Sequence, residues 1–174
     1  RIPALWCEQA IAGNLSRYAD MSPVFTEQDV AFMQHALMLA QNAERLGEVP
    51  VGAVLVRDGE IIGQGFNAPI SRHDPTAHAE VLALRDAATS TSNYRLDNTT
   101  LYVTLEPCTM CVGALVHARV TRVVFAAAEP KAGSLVSARR QLESGYYNHV
   151  FVFEGGLLAD EASTMLSDFF RRRR

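Results

Sequence analysis

The sequence predicts an α/β fold: three α/β/α layers built around a single mixed five-stranded sheet. Five short β-rich segments are present, and after the first two they alternate with stretches of helical periodicity. The first two segments are joined by Asp58-Gly59, a dipeptide typical of tight hairpin turns. Hydrophobic residues make up 48% and charged residues 20% of the 174 residues, as in a globular protein. No apolar run approaches the roughly 18 residues of a membrane span, so no integral membrane protein is expected.

Each element has a local signal. Thr26 and Asp29 have the spacing of a helix-starting capping box, apolar residues then recur at helical spacing, and Gly47 is a plausible helix end. The hairpin strands are predicted at 51–56 and 60–66, and a polar loop with two prolines follows. The other predicted elements are a helix over 77–88, a strand over 100–105, a helix over 108–118, a strand over 122–127, a strand over 150–153 and a helix over 158–170.

The ends of the chain are predicted to differ in role. Residues 1–20 lack the continuous apolar stretch of a signal peptide, and we expect an N-terminal extension outside the fold, with the domain over 21–174. The cytoplasm is the expected location. Net charge is −3, which argues against a basic footprint over the whole protein. The four arginines at 171–174 are typical either of a solvated end or of a phosphate-binding tail.

Two short motifs carry the chemistry. The first is His78-Ala79-Glu80, and the second is Pro107-Cys108-Thr109-Met110-Cys111 at a strand-to-helix passage. Pro107 suits the first position of a helix, which would place both cysteines on one face of the first turn, where the helix dipole favours thiolates. Two thiolates and one imidazole leave the fourth position of tetrahedral Zn²⁺ open, as in a catalytic site.

Glu80 makes a catalytic interpretation stronger than the alternatives. Bound Zn²⁺ lowers the pKa of its water to about 7, and a neighbouring carboxylate can take up and return that proton. His-x-Glu followed by Pro-Cys-x-x-Cys is typical of zinc deaminases that act on nucleobases. A redox Cys-x-x-Cys pair or a structural zinc site would leave Glu80 without a role, and a redox pair would leave His78 without one as well.

The sequence resembles the bacterial tRNA-specific adenosine deaminases of the cytidine-deaminase-like superfamily over nearly all of 21–171. The metal signature is shared by nucleobase deaminases in general, whereas His73-Asp74-Pro75-Thr76 and the ending Asp168-Phe169-Phe170-Arg171 point to the tRNA branch. Further similar segments are Glu48-Val49-Pro50-Val51-Gly52-Ala53-Val54, Gly65-Phe66-Asn67, Asn93-Tyr94-Arg95-Leu96 and Leu101-Tyr102-Val103-Thr104-Leu105-Glu106-Pro107-Cys108.

The resemblance implies a complete mechanism. His78, Cys108 and Cys111 would bind one Zn²⁺ per subunit of a homodimer. A metal-bound hydroxide would attack C6 of adenine at the wobble position of a tRNA anticodon. Glu80 would protonate N1 and then the leaving amine, giving inosine and ammonia. The fold implied is cytidine-deaminase-like.

Softer expectations concern the substrate and the RNA. The resemblance makes Asn67 a contact to the flipped nucleoside, although a turn residue is the alternative, and we expect Ala79, Glu106 and Pro107 to shape the pocket floor. Either Phe169 or Phe170 is expected in the core. The candidate protein contacts to the tRNA anticodon stem-loop are Lys131, Phe170, Arg171, Arg172, Arg173 and Arg174.

Two departures from the family pattern change the expected ribose and phosphate contacts but not the metal chemistry. The usual Arg-Asp pair is replaced by Ala128-Glu129, and the Lys131-Ala132-Gly133-Ser134 stretch is shorter than the usual glycine-alanine run. The substrate therefore stays open. One alternative function is deamination of a free cytosine, guanine or nucleoside with the same zinc site. Another is an inactive RNA-binding subunit with structural zinc.

Overall fold

The computed structural model describes residues 25–173, so the predicted extension over 1–20 and Arg174 lie outside the described part of the chain. Between those limits, five strands and five helices follow in an order close to the predicted one. Their bounds are α1 Glu27–Arg45, β1 Gly52–Arg57, β2 Glu60–Phe66, α2 Pro69–Arg72, α3 Ala79–Ser90, β3 Thr100–Leu105, α4 Thr109–Ala118, β4 Arg122–Ala127, β5 Val152–Gly155 and α5 Ala159–Arg171, with a 3₁₀ turn at Gln141–Ser144. None of the helices in this part of the chain combines the length and apolarity needed to cross a bilayer.

The strands form one sheet in the order β2-β1-β3-β4-β5. The pairs β1/β2 and β1/β3 are antiparallel, while β3/β4 and β4/β5 are parallel, so the prediction of a single mixed sheet is confirmed. The hairpin turns at Asp58 and Gly59, whose φ angles of 52° and 79° are those of the primed turn that Asp-Gly favours.

Alternation along the strands separates two apolar layers. On one face of the sheet the strand side chains pack with α3 and α4, and on the other they pack with α1 and α5, which confirms the three-layer fold. The first face includes Ala53, Leu55, Leu101, Val103, Val123 and Phe125, and the second includes Val54, Val56, Tyr102, Val124 and Ala126.

The start of α1 confirms the predicted capping box and ties the helix to the sheet. The Thr26 hydroxyl accepts from the Asp29 N–H at 3.1 Å, and the Asp29 carboxylate accepts from the Thr26 N–H at 2.8 Å. The same buried carboxylate accepts from the Tyr102 hydroxyl at 2.7 Å and from Arg122 at 2.6 Å. Burial alone would raise the pKa of Asp29, but hydrogen bonds from Arg122, Thr26 and Tyr102 hold it well below its usual value.

Helix α3 lies unusually close to β2 because that strand carries glycines where the two elements meet. A Cβ at Gly65 would stand 2.6 Å from the Ala79 carbonyl oxygen, and one at Gly63 would stand 2.4 Å from the Ala83 carbonyl oxygen. Both distances are shorter than any normal carbon–oxygen contact. The glycines therefore set how deeply the first turn of α3, which carries the first motif, approaches the sheet.

Several predicted boundaries were wrong, and two of them matter for the site. His78 and Cys108 are extended residues at the N-caps of α3 and α4, so those helices begin at Ala79 and Thr109, and Pro107 precedes the cap instead of opening the helix. The predicted loop contains the one-turn helix α2. The last strand begins at Val152, because pairing with Arg122 on β4 sets its register and an apolar run alone does not.

Candidate active site

Three metal-ligating side chains from the two motifs meet at the facing ends of α3 and α4. The sulfurs of Cys108 and Cys111 are 3.6 Å apart, and His78 Nδ1 lies 3.7 Å from the first and 3.6 Å from the second. Tetrahedral Zn²⁺ with bonds of about 2.3 Å to sulfur and 2.0–2.1 Å to nitrogen separates such ligand atoms by roughly 3.6–3.8 Å. The three donors therefore fit one zinc ion. No fourth His, Cys, Asp or Glu joins the cluster within residues 25–173.

The contact between the two sulfurs moves their pKa values in opposite directions. A hydrogen bond from Cys111, followed by the one from His78, lowers the pKa of Cys108 to about 3, while donating that bond raises the pKa of Cys111. The Cys108 thiolate in turn raises the pKa of His78. These contacts favour the thiolate form of Cys108, which is the form in which cysteine binds a metal.

Glu80 is the second residue of α3 and is buried, with 4% of its surface exposed. Burial is the largest influence on its carboxyl and raises the pKa, while the charge of His78 opposes the shift. Glu80 follows the ligand His78 by two residues in the first turn of α3, and it does not belong to the set of metal ligands. A buried carboxyl with a raised pKa next to a metal site is suited to moving protons.

Asn67 lies at the edge of this centre and is buried. Its side-chain Oδ1 accepts from the Ala79 N–H at 3.0 Å, the first N–H of α3, which has no partner inside the helix. Asn67 therefore holds the helix end that carries the first motif. No residue in the described range accepts a hydrogen bond from its Nδ2, and a nucleoside contact through that donor stays a prediction.

Glu106 is buried and organises the loop after β4. Its Oε1 accepts from three consecutive backbone N–H groups, those of Leu135, Val136 and Ser137, at 3.1, 2.8 and 3.0 Å. Its Oε2 accepts from the Glu129 N–H at 3.0 Å and from the Ser137 hydroxyl. Burial opposes ionisation, but these donors, with the Ser137 hydroxyl the strongest, hold the pKa of Glu106 below its usual value.

The loop held by Glu106 lies against the second motif. The Ser134 N–H donates to the Pro107 carbonyl oxygen at 2.9 Å, and Cys108 pairs with Gly133 in an isolated bridge. The hydroxyls of Thr109 and Ser134, which the sequence did not single out, are 2.9 Å apart. Glu106 and Pro107, predicted as pocket floor, thus act on the site through the loop; direct substrate contact stays a prediction.

The candidate RNA contacts fall on two surfaces. Phe169 is buried and Phe170 is half exposed, confirming that one of the pair belongs to the core. Arg171 pairs with Asp168 at 2.6 Å, and Arg172 pairs with Glu44 of α1.

Arg173 stacks 4.2 Å from the ring centroid of Phe169 and donates to the Gly47 carbonyl oxygen at 2.5 Å. These arginines are mostly exposed, so such pairs contribute little to stability and leave the charges available. Lys131 is exposed on the loop that Glu106 organises.

Fold and metal centre together define a zinc-binding deaminase. The sequence matches the family described as the cytidine and deoxycytidylate deaminase zinc-binding region over residues 26–127. That range contains all three metal ligands and the carboxylate beside them.

Relatives narrow the class. The tRNA-specific adenosine deaminase of Haemophilus influenzae is 51% identical over 156 residues, covering 89% of this chain and 90% of that protein. The enzyme of the same name from Bacillus subtilis is 44% identical over 147 residues, with coverages of 84% and 91%. A solved structure from work on A-to-I editing by tRNA:A34 deaminases at the wobble position of transfer RNA is 40% identical, with a TM-score of 0.77 over 78% of this chain and 99% of that chain. The chain belongs to the tRNA-specific adenosine deaminase family.

Proposed function

We propose that this protein hydrolyses adenosine to inosine and ammonia at the wobble position of a tRNA anticodon. The observation that carries the proposal is the open three-ligand centre of His78, Cys108 and Cys111 with the buried carboxylate of Glu80 beside it. High identity to tRNA-specific adenosine deaminases supports adenosine in tRNA as the substrate.

Zn²⁺, when bound by the three ligands, supplies the Lewis acidity that makes water nucleophilic at neutral pH. Residues of this chain transfer the protons and bind the nucleoside. Glu80 accepts a proton from the attacking water and delivers it to N1 of the adenine; it then takes the remaining proton of the hydroxyl added at C6 and delivers it to the departing amine. Its burial favours this role, because a carboxyl with a raised pKa holds a proton more readily than an exposed one does. Asn67, which fixes the start of α3, contributes its free Nδ2 to nucleoside binding.

On the RNA side, we infer that Phe170 stacks on a base of the anticodon loop and that the arginines after it, together with Lys131, contact phosphates. Stacking of a base on an aromatic ring is worth about 1–3 kcal/mol. The half-exposed ring of Phe170 and the largely exposed guanidinium groups support this assignment.

We further propose a homodimer in the cytoplasm. The proposal of a dimer rests on the family resemblance, and the exposed side chains of Ile70, Tyr94 and Tyr146 are candidate contacts for a second copy. A centre that needs two reduced cysteines favours a reducing compartment. Light scattering of the purified protein gives the oligomeric state directly, and a monomer at micromolar concentration would contradict the dimer.

The test of function compares substrates at equal concentration. The zinc-loaded protein is incubated with an anticodon stem-loop carrying adenosine at the wobble position, with the same stem-loop carrying adenosine one position away, and with free adenosine, cytidine and guanine. Inosine is measured by nuclease digestion and mass spectrometry. We expect conversion of the first RNA only.

Each alternative has its own outcome. Turnover of a free base or nucleoside without inosine in RNA would favour the small-molecule deaminase. Tight RNA binding with full zinc content and no conversion of any substrate would favour an inactive RNA-binding subunit. The exposed Glu60→Gln serves as a matched control for variants of Glu80.

A further inference from the structure

A second acidic residue is buried near the site, and neither the metal centre nor the proton transfer uses it. Glu48 lies between α1 and β1 with 1% of its surface exposed. Its Oε1 accepts from the Ser71 backbone N–H at 2.7 Å, and its own N–H donates to the Ala43 carbonyl oxygen at 3.0 Å. Its Oε2 is buried and has no hydrogen-bond partner within residues 25–173.

The partner of Glu48 belongs to the loop between two site residues. That loop leaves β2 at Asn67 and returns at His78, and its base is closed by a hydrogen bond from the Ala68 N–H to the Ala77 carbonyl oxygen at 3.0 Å. Ser71 stands in the middle of the loop, in the single turn of α2. N–H groups in the first turn of a helix have no intrahelical partner, so the donor that Glu48 satisfies would otherwise be unpaired.

The segment from Glu48 to Val51 therefore holds the loop at two places. The Asn67 N–H donates to the Val51 carbonyl oxygen at 2.9 Å, which fixes where the loop begins. The bond from Ser71 to Glu48 fixes its middle. The loop is thus tied at its start and its middle, and its far end carries the metal ligand His78.

Burying a carboxylate for one backbone hydrogen bond is energetically unfavourable, because the second oxygen loses its water without compensation. Nothing in the packing of a turn between a helix and a strand requires a charged residue there. The loop explains the charged residue, because a carboxylate oxygen is a stronger acceptor than a neutral one and holds the Ser71 N–H in a closer, better-defined position.

We propose that Glu48 is a positioning residue for the adenosine site: it sets the Asn67–His78 loop so that Asn67 meets the nucleoside at the right distance from the metal centre. The inference rests on the proposed function for the identity of the nucleoside. Loss of the contact shifts the loop and weakens nucleoside binding, while the metal ligands, each fixed by its own helix end, remain in place.

Four variants test the contact in matched pairs. Glu48→Ala removes the acceptor, and Glu48→Gln keeps an oxygen at the position of Oε1. Ser71→Pro removes the N–H donor, which makes no backbone hydrogen bond in the described part of the chain, and Ser71→Ala keeps that N–H. KM and kcat are measured on the anticodon stem-loop, together with zinc content per chain.

We expect Glu48→Ala and Ser71→Pro each to raise KM about tenfold or more, the size of one charge-assisted hydrogen bond, with kcat within about threefold of wild type and zinc retained. Ser71→Ala should stay within about threefold of wild type in KM, and Glu48→Gln, which keeps only a neutral acceptor, should raise KM less than Glu48→Ala does. The double variant Glu48→Ala/Ser71→Pro should be no worse than the poorer single one, because both remove the same bond. Wild-type KM in Ser71→Pro, or equal losses in the Gln and Ala variants, would overturn the proposal.

Amide hydrogen exchange provides a readout that does not depend on activity. Exchange of peptides covering 69–73 should accelerate in Glu48→Ala and accelerate less in Glu48→Gln, which keeps a neutral acceptor. If the wild-type protein deaminates no RNA, the proposed function fails, and the exchange still reports whether Glu48 holds the loop. If wild type is active and Glu48→Ala shows wild-type exchange and KM, the positioning role is wrong. Should Glu48→Ala fail to bind zinc or fold, the proposal is tested by the Ser71 pair alone: a raised KM in Ser71→Pro but not in Ser71→Ala supports it, and equal KM values contradict it.

Discussion

The Glu106 carboxylate offers the sharpest test of how the loop beside the metal centre is held. Replacing it with glutamine keeps the shape and one acceptor oxygen. The three N–H groups on Oε1 keep a partner, but the amide nitrogen then faces the Glu129 N–H and the Ser137 hydroxyl, both of which are donors. The hydroxyl can turn and accept, whereas the Glu129 N–H loses its partner.

The expected magnitude follows from these contacts. A buried N–H without a partner costs about 1–3 kcal/mol. The three remaining bonds change from charge-assisted to neutral, a loss of roughly 1 kcal/mol each. Burying an amide is easier than burying a carboxylate, which offsets part of the sum. We therefore expect Glu106→Gln to lower the free energy of unfolding by about 2–4 kcal/mol.

Urea unfolding of the zinc-loaded protein measures this difference, with Glu143→Gln as control because Glu143 is exposed and pairs only at the surface with Arg140 in the described part of the chain. The pH dependence gives a second check. Because folding lowers the pKa of Glu106, its ionised form contributes stability above the unfolded pKa of about 4.3, and that contribution is lost as pH falls through the folded pKa. The gap between wild type and variant should therefore narrow from pH 5 towards pH 3. A difference below about 0.5 kcal/mol at unchanged urea slope would refute the reasoning.

Three other predictions concern the site and the tail. Glu80→Gln should keep its zinc, measured by metal analysis, and lose about 10²–10⁴ in kcat on the anticodon stem-loop, because proton transfer is removed; wild-type turnover would show the role is misassigned. Gly65→Ala should lower the free energy of unfolding, measured by urea titration, by about 1–3 kcal/mol and weaken zinc binding, because its Cβ would clash with the carbonyl oxygen of Ala79. Gly113→Ala, which has open space around it, should change neither quantity. Removing 171–174 should weaken RNA binding and flatten its salt dependence in a filter-binding titration; an unchanged slope would mean the tail only contacts the protein.

Local sequence signals sufficed for much of the fold. The capping box at Thr26, the Asp58-Gly59 hairpin and the alternation of strands with helices are short-range patterns, and the structure confirms each. The last strand was misplaced because its register depends on pairing with β4, a partner distant in sequence. Helix starts at the two motifs were placed one or two residues early, because His78 and Cys108 fill N-cap positions that serine, threonine, aspartate or asparagine usually occupy.

What the sequence alone determined is the chemistry of the metal centre, since imidazole, thiolates and a nearby carboxylate define a zinc deaminase wherever the fold brings them together. Tertiary structure decided how the surrounding carboxylates are used. The Glu106 carboxylate accepts hydrogen bonds from a loop more than twenty residues further along the chain. The Glu48 carboxylate accepts one from the N–H of Ser71, which follows the hairpin of β1 and β2. Neither contact has a local signature, because the burial of a charged side chain and the identity of its partner depend on which distant segments the folded chain brings against it.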